Sequence, residues 1–560
     1  MAQRVTHIYF GAASALTALG DLDATLEGMA AGRSGLCYHA SWGMFAGQID
    51  PTHPEAQPAT ELTLFESRLV RQIERVCRVG GVDLGAKDTQ LILSTTKGNI
   101  ALLAAHTEEL DERLFLDRTA ERVQHYLGAA RRPILISNAC ISGLSALVVA
   151  RRLLLAGDCR TAVVAGGDLL TEFVTTGFTS FKSISAAPCR PYDAERDGLT
   201  LGEAFAAVVL TTEREAVAAP RYCLEGGAVT NDANHISGPS RTGDGLAYAM
   251  ERAMREANVV ADEVGMVNTH GTATLYNDEM ESKALTLAAL EGVPMNSLKG
   301  YIGHTLGAAG LVETILCLGQ LEREEIFATQ GFTTLGVPCA VNIAAEKRPL
   351  TQKRCLKSAS GFGGCNAAVV VAAEELVKAP AEPSRCEAAV TATAAYTLPH
   401  EAIPFAELIR REFRALGDKN LKFYKMSDLA KAAYVASEYL LQGRDITTKY
   451  HPTEVAVVLA NSAASLEADR AHQLIVDSRP EEGTSPAVFV YTLPNVATGE
   501  ICIRHKIQGD NTFFIEEGSA FAERYARLLL ERGDAKAVIT GRLEKLDERW
   551  DITLKLLEIN

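Results

Sequence analysis

The chain has 560 residues, 47% hydrophobic and 22% charged, with a formal net charge of −15. That composition excludes low-complexity disorder, and the acidic balance argues against a nucleic-acid binder as a whole. The length corresponds to about two to four domains, and no apolar stretch is expected to reach the roughly 18 residues of a membrane span.

In chain order, "MAQRVTHIYFGAAS" lacks the apolar core of a signal peptide and is expected to be a first strand. "SRLVRQIERVCRV" follows, with Arg68, Arg71, Arg75 and Arg78 spaced to share one face of a helix. The runs "QLILST", "RTAVVAGG", "FAAVVLTT" and "AAVVVAA" read as strands, and 143–156 and 243–257 as helices. Such alternation predicts an α/β chain with mostly parallel sheets covered on both faces. Near residue 377 the texture changes: "VKAPAEPSRCE" mixes prolines and charges, and the alternation restarts with "AAVTATAAYT". The twelve cysteines show no CxxC or Cys/His zinc spacing, so free thiols in a reducing cytoplasm are expected, with no metal or other cofactor.

The restart is an internal repeat. "LTLFESRLVRQIERV" (62–76) resembles "LKFYKMSDLAKAAYV" (421–435), and "TQLILSTTKGNI" (89–100) resembles "TEVAVVLANSAA" (453–464). "ARRLLLAGDCRTAVVAGGD" likewise resembles "ARLLLERGDAKAVITGRLE", in the same order. The second copy covers only the first half of the larger unit.

Cys140, in "NACISG", stands between an apolar strand and a helix. A helix opening there turns unpaired N–H groups and its positive dipole end toward the thiol. Those groups stabilise a thiolate, so a lowered pKa is expected of a nucleophile; the alternative is a buried structural thiol. Two further loops carry histidines. "VNTHGTATLYNDEME" sets His270 in a Gly/Thr turn after a strand, and "SLKGYIGHTLGAAGLVETI" sets Lys299 shortly before His304. "SGFGGCNAAVVV" surrounds Phe362 with glycines, which permit the positive φ and close approach that an oxyanion-binding N–H requires.

"NACISG", "HGTAT", "KGYIGHTLGAAGLVE" and "GFGGCN", with "CRPYDAERDGLTLGEAFAAVVL", resemble in order and spacing the motifs of β-ketoacyl-acyl-carrier-protein synthases. The resemblance covers roughly residues 3–375. It implies a thiolase-like fold of two similar βαβαβαββ halves in alternating helix and sheet layers, with a third, homologous half-unit at the C-terminus. The implied domains are 1–212 and 213–376 for the two halves, 377–385 as linker and 386–560 as the truncated half. The implied reaction is decarboxylative Claisen condensation of malonyl-carrier with an acyl chain held on Cys140, in fatty acid or polyketide/polyene synthesis. Cys140 matches the nucleophile, and His270 and His304 the pair that promotes decarboxylation. Lys299 and Glu313 match the residues that organise them. The N–H groups of Cys140 and Phe362 match the oxyanion hole, with Phe362 also a gate. Alternatives are a thiolase-like coenzyme A acyltransferase and a non-catalytic partner subunit.

Two departures stand out: Arg132-Pro133 where the family has Gly-Pro, and Cys365 where it commonly has threonine. Cys140 lies 17 residues before Gly157, and the same interval before Gly533 falls on Glu516. The C-terminal copy thus resembles a cysteine-lacking chain-length factor, which implies an intrachain pseudo-dimer or a homodimer and a role in shaping the acyl tunnel; a decayed duplication is the alternative. The implied partner, an acyl carrier protein, is strongly acidic, and Arg68, Arg71 and Arg75 are the expected docking residues.

Overall fold

The apolar runs become strands, and those on the main path of the large sheet come in three successive sets of five. The computed structural model describes residues 7–58, 61–105, 110–378, 389–478 and 483–559, so most of the expected linker, 379–385, lies outside the described residues. The first set is β1 (Tyr9–Thr17), β2 (Thr89–Ser94), β3 (Ile134–Ile136), β4 (Thr161–Asp168) and β5 (Ala204–Thr211). The second is β6 (Tyr222–Asn231), β7 (Met266–Asn268), β8 (Met295–Asn296), β9 (Arg354–Gly361) and β10 (Cys365–Ala373). The third is β11 (Val390–Thr397), β12 (Val455–Asn461), β13 (Asn511–Ile515), β14 (Ala537–Leu546) and β15 (Arg549–Ile559). Hydrogen bonds join them in the order β8-β7-β9-β10-β6-β1-β5-β4-β2-β3-β13-β12-β14-β15-β11. Every set therefore has the same spatial order: first, fifth, fourth, second, third. The repeat seen in the sequence is a repeat of topology.

Seven helices position the rest: α1 (Leu64–Gly80), α2 (Ser142–Ala156), α3 (Asp244–Glu256), α4 (Ala309–Arg323), α5 (Asp428–Leu440), α6 (Asn495–His505) and α7 (Ala520–Glu531). The first and second sets meet only where Tyr9 faces Cys223 and Phe10 faces Tyr222. Beyond that corner they splay and hold α2 and α4 between them, while α1 covers the outside of one and α3 the outside of the other. The result is the alternating helix and sheet layering that the motifs imply. The sheet is mixed and not mostly parallel, because the first, fifth and fourth strands of each set pair antiparallel. The two central helices approach closely at their starts. A Cβ on Gly143 would sit 2.6 Å from the Leu311 nitrogen, and one on Gly310 would sit 2.9 Å from the Leu144 nitrogen.

The third set joins the first edge to edge. β3 and β13 run antiparallel, with Ile136 opposite Phe514 and Leu135 opposite Ile515, and the Ser137 N–H donates to the Phe513 carbonyl at 3.1 Å. From this seam the two sets run outward in mirror order, a pseudo-twofold arrangement within one chain.

α2 is buried from Ser142 to Leu154. Together with the turn before it, Ala139–Ala156 forms an 18-residue stretch of mean hydropathy 1.7, 89% of it buried. This corrects the expectation that no segment is long and apolar enough to span a membrane: the apolarity serves a helix walled by sheet on two sides. Leu144, Leu147, Leu153 and Leu154 are each at most 1% exposed, and each such burial contributes about 1.5–3 kcal/mol. Its counterpart α7 is covered on one side only. Its buried residues, Ala522, Tyr525, Ala526, Leu529 and Leu530, form a single stripe. The strands follow suit. β5 is buried along its whole length, whereas β15 alternates, with Trp550, Ile552, Leu554 and Leu556 inward and Arg549 and Asp551 exposed. The open face carries polar pairs, Arg542–Asp551 at 3.2 Å and Lys555–Glu523 at 2.8 Å. Where another half would pack, the third set is surfaced for water.

Candidate active site

Cys140 sits at the C-terminal end of β3, where the chain turns into α2 through Ala139–Ile141. Ala139 takes φ 47°, a left-handed conformation that a small side chain tolerates best. His270 follows β7 directly, His304 lies between the helical turn Lys299–Ile302 and α4, and Phe362 occupies the β9–β10 connection. Four loops separated by long stretches of sequence thus converge. The Cys140 sulfur and a ring nitrogen of each histidine lie within 4.8 Å of one another, all buried. The two imidazoles meet edge to face, with ring centroids 4.9 Å apart.

The two histidines differ in their hydrogen bonding. The Leu306 N–H donates to His304 Nδ1 at 3.1 Å, so in the neutral ring Nε2 carries the proton and is a donor. That tautomer also speaks against these three residues as a metal centre, because Nε2 has no lone pair to offer. His270 Nδ1 has no hydrogen-bond partner among the described residues, which leaves that imidazole free to accept or donate. Burial, then the Lys299 charge, hold both rings well below the usual histidine pKa. They are neutral at physiological pH.

Lys299 donates to Glu313 Oε1 at 2.7 Å. Lys357 reaches Glu313 Oε2 at 2.5 Å and donates to the Thr269 carbonyl at 3.0 Å. Burial pushes the Glu313 carboxyl up, but Lys299 and Lys357 outweigh it and hold the group below the usual carboxylate range. The His270 loop is pinned by Glu281, which accepts from the N–H groups of His270 at 2.7 Å and Gly271 at 2.6 Å. Asp168 accepts from the N–H groups of Thr96 at 3.0 Å and Gly307 at 2.8 Å, tying the loop after β2 to the start of α4. Lys357, Glu281 and Asp168 escaped the sequence reading. Lys357, a charge between the apolar Leu356 and the small residues "SAS" of the strand "RCLKSAS", was the available signal for one of them.

Cys140 departs from expectation. Burial disfavours the thiolate most and the Asp168 charge adds to it, while Lys299 and the backbone N–H groups of Phe362 and of Cys140 itself favour it. Burial outweighs all three, and the thiol is pushed up to about 12. The helix terminus does favour the thiolate, but desolvation of the buried sulfur is the larger effect.

The docking expectation also changes. Arg68 is 4% exposed and bonded to Glu203 at 2.9 Å, so it cannot present its charge to a partner. Helical spacing placed it on the arginine face; packing turned it inward, onto a carboxylate 135 residues away. Arg71 is half-buried and donates to the Pro54 carbonyl at 2.7 Å. Arg75 pairs with Glu55 at 2.7 Å. In the third set, Glu516 accepts from the N–H groups of Phe521 at 3.0 Å and Ala522 at 2.9 Å. A carboxylate, not a thiol, meets the free N–H groups of α7.

Two family models match the chain: "Beta-ketoacyl synthase, N-terminal domain" over residues 75–216 and "Beta-ketoacyl synthase, C-terminal domain" over 222–333. The chain is 35% identical over 256 residues to 3-oxoacyl-[acyl-carrier-protein] synthase 2 of Vibrio cholerae, which covers 42% of this chain and 61% of the relative. A Mycobacterium leprae 3-oxoacyl-[acyl-carrier-protein] synthase 2 is 31% identical over 245 residues, 41% of this chain and 58% of the relative. The chain thus spans less than two thirds of these relatives' length. Among solved structures, the ketosynthase ApeO in complex with its chain length factor ApeC from Xenorhabdus doucetiae is 26% identical. That match has a TM-score of 0.57 and covers 67% of this chain and 99% of the other. PfaC keto synthase-chain length factor, at 13% identity, has a TM-score of 0.81 and covers 99% of this chain and 78% of the other, a likeness of fold. Residues 75–216 and 222–333 thus match the two domains of the β-ketoacyl synthases, carried on a thiolase-like fold.

Proposed function

We propose that the protein is a decarboxylating condensing enzyme of fatty acid or polyketide/polyene synthesis, acting on carrier-bound substrates. The observation that carries this is the buried cluster of Cys140, His270 and His304 within 4.8 Å, beside backbone N–H groups of Phe362 and Cys140 that favour the thiolate. Cys140 attacks an acyl-carrier thioester, the carrier thiol leaves, and the acyl chain stays on sulfur. A neutral histidine with a free ring nitrogen, His270, is placed to take the thiol proton. Malonyl-carrier then loses carbon dioxide as its C–C bond breaks. The electron pair becomes an enolate whose oxygen is held by imidazole N–H groups, His304 Nε2 among them. The enolate carbon attacks the Cys140 thioester. The resulting oxyanion sits on the Cys140 and Phe362 N–H groups, and collapse expels the Cys140 thiolate and releases β-ketoacyl-carrier. Loss of carbon dioxide generates the carbanion, so no strong base is required.

We assign 1–212 and 213–376 to the catalytic halves and 386–560 to an intrachain pseudo-partner, with 377–385 as linker. The pairing of β13 on β3 supports this, because it fills the edge a second copy would otherwise use. Phe489 of the pseudo-partner packs on Phe178 at 5.3 Å and Phe181 at 6.3 Å. Phe178 and Phe181 in turn stack on Phe362, which supports a part in shaping the acyl pocket. The acidic carrier is the partner, with Arg71 and Arg75 retained as docking residues. Eleven free cysteines among the described residues fit a reducing cytoplasm. The test is incubation with acyl- and malonyl-carrier. Carbon dioxide release with a thioester on Cys140 is expected, and absence of both overturns the proposal.

A further inference from the structure

In the C-terminal half-unit Glu516 meets the free N–H groups of α7, yet another of its residues reaches the oxyanion loop. Asn495, the first residue of α6, is 2% exposed. Its Nδ2 donates to the Phe362 carbonyl at 2.8 Å and touches Cys365 Sγ at 3.6 Å. The approach is possible only because residue 363 is glycine. Gly363 has φ 91°, and a Cβ there would lie 2.7 Å from Asn495 Nδ2. One turn along α6, a Cβ on Gly499 would sit 2.5 Å from the Gly363 carbonyl oxygen. That carbonyl is held in turn by Asn231 Nδ2 at 2.9 Å, and the Gly363 N–H donates to the Ile236 carbonyl at 2.6 Å. The backbone of Phe362–Gly363 is therefore fixed at consecutive polar atoms, one of them from across the seam.

We infer that Asn495 is a positioning residue for the condensation: it holds the Phe362 backbone so that the Phe362 N–H meets the thioester oxygen, and the oxyanion hole is incomplete without the C-terminal half-unit. The residue touches no reacting atom and acts through Phe362. The inference rests on the proposed condensing activity and adds to it a part for the C-terminal half-unit. Oxyanion stabilisation is geometric. A donor is useful only within hydrogen-bond distance of where negative charge develops, and loss of one donor costs about 10²–10³-fold in rate. Loosening a donor while keeping it should cost less, about ten- to hundredfold.

Two reactions of Cys140 separate positioning from general structure. Acyl transfer from hexanoyl-carrier passes through an oxyanion; alkylation by iodoacetamide is a displacement at saturated carbon and does not. In the full-length Asn495→Ala protein, acyl transfer should fall about ten- to hundredfold while alkylation stays within about twofold of wild type. Asn495→Asp, which keeps the shape and removes the donor, should behave like Asn495→Ala. Equal acyl-transfer rates in wild type and variants overturn the inference, as does a parallel fall in both reactions. Wild-type acyl transfer run alongside keeps the two ideas apart: an inert wild type refutes the condensing activity itself.

Discussion

The seam between the half-units is locked by a buried charge, which makes it open to a quantitative test. Arg152 of α2 is fully buried and pairs with Asp510 at 2.6 Å, itself buried at the entrance to β13. The Tyr525 hydroxyl accepts from the same guanidinium, and Asp534 lies 3.3 Å away. Consider Arg152→Met. Asp534 keeps Arg252 at 3.1 Å and Arg532 at 3.0 Å, so Asp510 is the carboxylate left stranded, with the Thr512 hydroxyl at 2.8 Å as a remaining donor. Removing one partner of a buried pair costs about 3–5 kcal/mol, because the other charge stays desolvated. Replacing both, as Arg152→Met with Asp510→Leu, removes the stranded charge and should recover most of that loss. The chain has two tryptophans, Trp42 in the first half and Trp550 in β15. Urea unfolding at pH 7 of Trp42→Phe and Trp550→Phe backgrounds, followed by fluorescence, therefore reports each side of the seam. A single variant as stable as wild type, or a double variant no better than the single, would refute the reasoning.

Further outcomes follow from the site. With its thiol pushed up to about 12, Cys140 should alkylate about tenfold faster per pH unit between roughly pH 7 and 9, since the thiolate is the nucleophile; a plateau inside that window contradicts the burial argument. Glu313→Gln strands the Lys299 and Lys357 charges and should destabilise the fold by about 3–5 kcal/mol, with carbon dioxide release from malonyl-carrier reduced as well. The sign in wild type is set by the depressed Glu313 carboxyl. Its contribution is present above the unfolded value of about 4.3 and is lost as pH falls below it, which thermal melts across acid pH would show. Arg68→Glu sets a second carboxylate against Glu203 and should lower the melting temperature by several degrees. Arg71→Glu should leave the melting temperature unchanged and weaken carrier binding, and equal melting temperatures for the two would show that Arg68 is not buried as described.

The nucleophile loop, the two histidine loops, the glycine loop and the repeat were legible because each is local in sequence. What the sequence withheld is contact at long range. Nothing near Arg68 in the chain announces Glu203, and nothing near Phe362 announces Asn495, 133 residues on. The raised pKa of the Cys140 thiol has the same root. A helix terminus can be read from "NACISG", but the desolvation that dominates comes from loops far along the chain. Burial of α2 on both sides could be anticipated from its apolarity, but that same apolarity also satisfies the length and composition of a membrane span, and only the flanking sheets decide between the two.

The seam between β3 and β13 has a consequence for dilution. When two such units are separate proteins, their pairing obeys mass action and comes apart as concentration falls. Here both partners belong to one chain, so closure of the seam is intramolecular and governed by an effective concentration that the solution cannot change. Specific activity should therefore stay constant from micromolar to nanomolar protein. The two halves are also always present in equal number, and neither can be exchanged for a competitor.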